Sequence, residues 1–339
     1  MEKPKSKAAF VAVIGRPSVG KSTLVNKLCG EKVAIVSEVP QTTRNAIRGI
    51  VNRDSPESDC RGQLVFIDTP GRHKSEKKFN KKLSEVSGRA AADADIILYV
   101  MDAARSPGPE EADITAFLLP HADKTVIAIN KIDTPDAGFS RSLEFIVKNF
   151  PGIGKDRLHK ISALTGEGTD ELLSALFKIA PEGEPFYGSE YYTDQEVSFR
   201  ISEIIREQAI NRLRDELPHA LYVDVADAQF SDISAGNPAA KPNPTIPDPR
   251  SPIPDPHSPL PTSHSPKLWV RAFIIVERES QKGIVVGKGG TMIKSIRLAA
   301  LKELHKIFDW KIELDLRVKT GKDWRHNDNV LRKLIRNEQ

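Results

Sequence analysis

The chain has 339 residues, which suits two domains of ordinary size, and its 39% hydrophobic and 28% charged residues, without an apolar stretch of the ~20 residues that cross a bilayer, argue against an integral membrane protein. Cys29 and Cys60 are too few for a disulfide framework or a four-ligand zinc site, and no secretion-type leader follows the basic Met1 to Lys7, so the reducing cytosol is the expected compartment. The net charge of +4 is uneven: Lys267 to Gln339 holds 17 Lys and Arg against 9 Asp and Glu, or +8, leaving −4 for the rest, so a polyanion is expected to bind the basic end.

Apolar runs of strand length, Phe10 to Ile14, Leu64 to Ile67, Ile96 to Val100 and Val126 to Ile129, are spaced widely enough for intervening helices. That alternation predicts an α/β unit with a mostly parallel sheet and helices on both faces. Directly after the first run stands Gly15-Arg16-Pro17-Ser18-Val19-Gly20-Lys21-Ser22, the pattern G-x-x-x-x-G-K-[ST], opening a helical stretch near Thr23. Glycines let the backbone curl so that its N–H groups face phosphate oxygens, the lysine supplies a point charge at the β and γ phosphates, and the hydroxyl of Ser22 is a magnesium ligand.

Further along, Thr42 and Thr43 lie where a switch threonine would cap the metal, with Thr43 preferred. Asp68-Thr69-Pro70-Gly71 follows the second run, which places Asp68 to hold Mg²⁺ through water and the Gly71 N–H to sense the γ phosphate. Asn130-Lys131-Ile132-Asp133 follows the fourth run. The Asp133 carboxylate can accept from the N1–H and N2 amino group of guanine, a donor pair that adenine lacks, so GTP or GDP is expected rather than ATP. Ser162-Ala163-Leu164 fits a later loop whose backbone meets the guanine O6. A helix from about Thr169 to Ile179 closes the unit, and the Pro- and Gly-bearing run from Pro181 to Thr193 marks the boundary. The expected division is 1–182 for the nucleotide domain, 183–195 for a linker and 196–339 for the second domain.

The second domain should open with a helix from Asp194 to Leu217 and a strand from Leu221 to about Val225. Between Pro238 and Pro266 lie 11 of the 24 prolines, which predicts a disordered or polyproline-like insertion at about 229–267. A strand at Leu268 to Val276 comes next, then Gly287-Lys288-Gly289-Gly290, a G-x-x-G turn between a short apolar helix and a longer one from Thr291 to Phe308. An alternating strand over Ile312 to Val318 ends the pattern. This is the arrangement of a KH module, in which glycines allow a nucleic-acid backbone to approach while Lys282, Lys288, Lys294 and Arg297 answer its phosphates.

With these motifs, and with Ser202 to Glu207, Glu216 to Ala220 and Val276 to Glu279, nearly the whole chain resembles the Era family of bacterial GTPases, which join a Ras-like G domain to a type II KH domain. The resemblance implies a monomeric, GTP-controlled factor using GTP/GDP and Mg²⁺. It also implies binding to 16S rRNA near its 3′ end, help in maturing the small ribosomal subunit, and some contact with the inner membrane surface. Three departures stand out: Ser18 where the family usually carries Asn, Arg72 where relatives carry a hydrophobic residue, and the Pro-rich insertion. No catalytic residue is assigned from the sequence. The competing readings are an RNA-binding assembly protein whose nucleotide is mainly structural, and a P-loop ATPase acting on nucleic acid.

Overall fold

Strands whose residues are apolar on both sides have to be covered on both sides, and the first half of the chain is built that way. The structure, a computed structural model, describes residues 6–40, 42–54, 61–71, 78–135, 137–231 and 267–334. They form two compact units, the first drawn from the described residues within 6–36, 40–194 and 328–334 and the second from those within 37–39 and 195–327.

In the first unit, strands β1 (Lys7–Ile14), β2 (Ile47–Arg53), β3 (Gly62–Asp68), β4 (Ile96–Asp102), β5 (Thr125–Asn130) and β6 (Leu158–Lys160) lie in the order β2-β3-β1-β4-β5-β6. Only β2 runs antiparallel to its neighbour. Every residue of β4 and β5 is buried. The helices are α1 (Lys21–Cys29), α2 (Lys78–Asp93), α3 (Pro109–Leu118), α4 (Phe139–Asn149) and α5 (Thr169–Ile179). Ala91, Ile114, Leu118 and Ile146 of α2 to α4 share one core with Ile14, Tyr99 and Ile127. α5 carries Asp170 and Glu171 in its first turn and Lys178 in its last, as the helix dipole favours, and buries Leu172, Leu173, Leu176 and Phe177.

The parallel strands β1, β3, β4 and β5 end at Ile14, Asp68, Asp102 and Asn130, so all the nucleotide motifs emerge at one edge of the sheet. Ligands of open α/β sheets bind at that edge. β2 and β6 were not anticipated: β2 is interrupted by Gly49 and two arginines, and β6 has only three residues. Cys29 is a free thiol that burial, reinforced by the charge of Glu31, pushes up to about 12, while Cys60 lies outside the described residues.

The stretch expected as a linker, 183–195, is largely part of the first unit. Its path is secured by side-chain bonding to β2 and β3 that has no sequence signature. The Gln63 amide, fully buried, accepts from the N–H groups of Phe186 and Tyr187 at 2.8 and 3.0 Å and donates to the Tyr187 carbonyl at 2.9 Å. Beyond it, the Ile50 N–H donates to the Tyr192 carbonyl, the Thr193 hydroxyl donates to the Arg48 carbonyl, and Arg48 pairs with Asp194 at 2.7 Å. The segment thereby covers the edge strand β2, whose backbone groups would otherwise be open to pairing.

The second unit follows the order α6 (Val197–Ile210), α7 (Leu217–Ala220), β7 (Leu221–Ser231), β8 (Lys267–Val276), α8 (Glu279–Val286), α9 (Thr291–Ile307) and β9 (Lys311–Thr320). A short helix, α10 (Asp328–Leu334), comes after it in the chain. β8 is central, antiparallel to β7 and parallel to β9. Ile201, Ile204 and Ile205 of α6 and Ile296, Ala300 and Leu304 of α9 bury one sheet face, composed of Leu221 and Val223, the alternate residues Leu268 to Val276, and Ile312, Leu314 and Leu316.

Two expected elements change. The helix expected over 194–217 stops at Ile210, and a turn containing Asp215 at φ 56 separates it from α7. The strand expected to end near Val225 continues through a register shift to Ser231, where Gln229, Phe230 and Ser231 pair with Trp269, Leu268 and Lys267. These residues therefore belong to the sheet, not to the insertion expected at 229–267, and the remainder of that insertion lies outside the described residues.

Replacing Gln63 with Leu keeps the volume but leaves the Phe186 and Tyr187 backbone groups without their partner. Urea unfolding is expected to show a loss of about 2–4 kcal/mol. Hydrogen exchange at Phe186 and Tyr187 should accelerate more than exchange in β4.

Candidate nucleotide and nucleic-acid sites

β1 delivers Gly15 to the sheet edge, and the loop it begins turns through two left-handed positions, Ser18 at φ 64 and Gly20 at φ 94, before α1 starts at Lys21. Gly20 is required twice over, since a Cβ there would also lie 2.5 Å from Asn130 Nδ2. Lys21 is buried, and its Nζ donates to the Gly15 and Arg16 carbonyls at 3.1 and 3.0 Å. Burial lowers the Lys21 ammonium to about 8, against the opposing pull of Asp68. Val19 is fully buried, Ser18 is exposed, and Thr23 lies in the first turn of α1.

The Ser22 hydroxyl donates to Asp68 Oδ2 at 2.5 Å, Thr43 Oγ1 lies 3.0 Å from Ser22 Oγ, and Thr43 donates to the same carboxylate oxygen at 3.3 Å. Of the two candidate threonines, Thr43 is the one brought to this cluster. Burial raises the Asp68 pKa, opposed by Lys21 and the two hydroxyls, and Asp68 Oδ1 is buried without a hydrogen-bond partner. Hard oxygen donors with one orphaned carboxylate oxygen suit Mg²⁺, which takes few protein ligands and completes its shell with phosphate and water. Among the described residues no group of three or more His, Cys, Asp or Glu could hold a metal. The Thr69 hydroxyl donates to the Val13 carbonyl at 2.7 Å and fixes the turn leading to Gly71.

On the base side, Asn130 Nδ2 donates to the Val19 carbonyl and Oδ1 accepts from the Ala163 N–H, both at 2.8 Å. One amide thus joins the phosphate loop to the loop bearing Ser162, which is fully buried. Within the loop expected to meet the guanine O6, the Ala163 N–H is the donor to Asn130. Lys131, at φ 67, donates to the Ser18 carbonyl at 2.7 Å and pairs with Asp102 at 2.8 Å. Asp133 is exposed beyond β5.

In the second unit, Gly287, Gly289 and Gly290 have φ of 76, 60 and 78. A Cβ on Gly289 or Gly290 would meet nothing within 4 Å, so the turn is open to an approaching backbone. α9 begins there with no side-chain cap, its Thr291 N–H donating to the Lys288 carbonyl, and Lys288 and Lys294 are exposed beside it. Two of the expected phosphate ligands also have partners within the unit: Lys282 pairs with Glu279 at 2.8 Å on the surface, and Arg297 Nε donates to the Leu314 carbonyl at 2.6 Å, tying α9 to β9.

Sequence reasoning did not anticipate Asp102, Glu111 or the side chain of Arg16, all buried around the phosphate loop. The available signal for Asp102 was a carboxylate closing the apolar run Ile96 to Met101. Arg72 and Gln41 lie outside the described residues.

Comparison with known proteins matches residues 10–131 to the 50S ribosome-binding GTPase family model and residues 265–325 to the KH domain model. The chain is 46% identical over 327 residues to the GTPase Era of Treponema denticola, covering 96% of this chain and 99% of the relative. It is 40% identical over 344 residues to that of Treponema pallidum strain Nichols, covering 95% of each. Among solved structures, a point variant of Aquifex aeolicus Era bound to GDP·AlF4⁻ has a TM-score of 0.79 at 31% identity, covering 96% of this chain and 98% of that one. An Era complex with MgGDPNP and nucleotides 1506–1542 of 16S ribosomal RNA has a TM-score of 0.79 at 30% identity with the same coverage. With a P-loop and guanine-recognition loop in one unit, a KH module in the other, and identity sustained along nearly its whole length, the chain belongs to the Era family of GTPases.

Proposed function

We propose that this GTPase is a GTP-controlled switch that binds 16S rRNA near its 3′ end through the Gly287 to Gly290 turn and assists maturation of the small ribosomal subunit. The observation that carries it is that open, uncapped turn between α8 and α9, with exposed lysines on it and no Cβ to hold a phosphate backbone away. It is supported by the relative of similar fold that was solved with both MgGDPNP and a 16S rRNA segment. The resemblance further assigns a monomer working in the cytoplasm, with peripheral contact at the inner membrane surface. Among the described residues no helix is long and apolar enough to cross a membrane.

Backbone amides of Ser18 to Thr23 cradle the α and β phosphates, Lys21 reaches the β and γ phosphates, and the Gly71 amide meets the γ phosphate. Ser22, Thr43 and Asp68 would hold Mg²⁺, which would supply positive charge beside the phosphates. Water attacks the γ phosphorus, the bond to the β–γ bridging oxygen breaks, and GDP and phosphate leave. In this scheme the described residues contribute positioning and charge stabilisation, so turnover in isolation is slow. Asp133 reads the guanine N1–H and N2 amino group, while Asn130 and the Ser162–Ala163 loop fix the pocket around it.

Nucleotide choice should reverse at one carboxylate. Asp133→Asn is expected to weaken GDP binding by about 100-fold or more and to favour xanthosine diphosphate, whose C2 oxygen accepts what an amide donates. Titration with fluorescent guanine and xanthine nucleotides measures both. Equal affinity of the unmodified protein for GTP and ATP would overturn the assignment.

Gly289→Asp should reduce affinity for an RNA carrying the 3′ end of 16S rRNA by about tenfold or more while sparing GTP binding, because the two cores are separate clusters. Aspartate tolerates the left-handed conformation better than most residues, so the fold should survive. For the unmodified protein, log affinity should fall linearly with log salt; unchanged RNA affinity in the variant would count against the turn as the binding site.

A further inference from the structure

Arg16, the second residue of the phosphate loop, directs its guanidinium inward, where Nε lies against Glu111 Oε1 of α3 in an ion pair that is not a hydrogen bond. Both side chains are nearly removed from solvent, at 9% and 4% exposure. The second Glu111 oxygen accepts from the Gly108 N–H at 3.3 Å, so the carboxylate is itself anchored at the start of its helix. A buried ion pair adds little stability over well-packed apolar side chains of the same volume, which points to a geometric role.

What the pair orients is visible in its neighbours. The Arg16 carbonyl accepts from Lys21 Nζ at 3.0 Å. The next residue, Pro17, packs directly on Gly71: a Cβ at Gly71 would lie 2.6, 2.7 and 2.8 Å from the Pro17 N, Cα and Cγ. Arg16 and Pro17 therefore form the surface on which the two groups assigned to the γ phosphate, Lys21 and Gly71, both rest. The later part of the loop is secured separately, Ser18 by Lys131 and Val19 by Asn130.

We propose that Arg16 and Glu111 are positioning residues for the γ phosphate: their buried ion pair fixes the Arg16–Pro17 backbone, and through it Lys21 and Gly71, so that GTP is distinguished from GDP. This rests on the assignment of Lys21 and Gly71 as γ-phosphate ligands. Of the contacts GDP shares with GTP, the main-chain cradle is held by Asn130 and Lys131 and only the reach of Lys21 to the β phosphate also leans on Arg16, so a loosened Arg16 weakens GTP binding and hydrolysis more than GDP binding.

The test uses the full-length protein with the paired substitution Arg16→Met with Glu111→Leu, which keeps the site filled, together with Glu111→Gln and Arg16→Lys. Dissociation constants for GDP and for a non-hydrolysable GTP analogue with Mg²⁺, and single-turnover hydrolysis, are measured on each variant after its fold is checked by thermal unfolding. The paired variant is expected to bind GDP within about threefold of the unmodified protein, to lose about tenfold in affinity for the GTP analogue, and to hydrolyse GTP about tenfold more slowly. Glu111→Gln should show the same selective loss, and Arg16→Lys, which keeps the charge pair, should retain most of the discrimination. A GTP-to-GDP preference unchanged within about twofold, or an equal loss for both nucleotides, would reduce the pair to scaffolding. If the paired variant does not fold, Glu111→Gln decides by the same criteria. Lys21→Ala, run alongside, separates the two assignments: undiminished GTP binding there overturns the phosphate-site reading, whereas weakened binding there with an unchanged preference in the pair variants overturns this inference alone.

Discussion

A phosphate cradle made of main-chain amides has no stiffness of its own, so its shape has to be imposed by side chains from elsewhere in the chain. Here the loop from Gly15 to Gly20 is held by Asn130 at the Val19 carbonyl, by Lys131 at the Ser18 carbonyl and by Glu111 at the Arg16 guanidinium. The left-handed turn at Ser18 is unfavourable for a residue with a Cβ, and it persists because its carbonyl is fixed by a lysine that Asp102 in turn holds. The loop from Gly15 to Gly20 and the loops bearing Asn130 and Ala163 are thus mechanically one object.

The electrostatics follow from that enclosure. Lys21 and Asp68 are both withdrawn from water, and burial works against the charged form of each: the ammonium is lowered and the carboxylate raised. Their mutual attraction and the Ser22 and Thr43 hydroxyls offset this only in part. A triphosphate and a divalent cation supply the missing counter-charges, so the site is arranged around ligands that complete it.

The two glycines that end the second unit's turn differ from those of the phosphate site. Gly20 and Gly71 are packed so tightly that a Cβ would collide with Asn130 or Pro17, whereas Gly289 and Gly290 face open space. Close packing in the first unit preserves one geometry for a small ligand. In the second it is exposure that matters, because a polynucleotide brings its own shape and needs a surface it can reach. The basic residues divide accordingly: Lys288 and Lys294 stay exposed, while Lys282 and Arg297 are used within the unit.

Much of this was legible in the residues alone. The apolar runs that became β1, β3, β4 and β5, the stripe of α5, and the motifs at their ends are local patterns, and local chemistry dictates them: buried strands must be apolar on both sides, and a phosphate nest must contain glycine. The preference for Thr43 over Thr42 was legible as well, whereas the use of Gln63 to bind residues 183–194 to the sheet was decided only in the tertiary structure. So were the bond from the Ala163 N–H to Asn130, the β7 pairing that carries the strand on to Ser231, and the burial of Arg16 against Glu111. Each depends on which groups distant in sequence become neighbours, and a polar side chain carries no mark of its partner until burial removes water as the alternative.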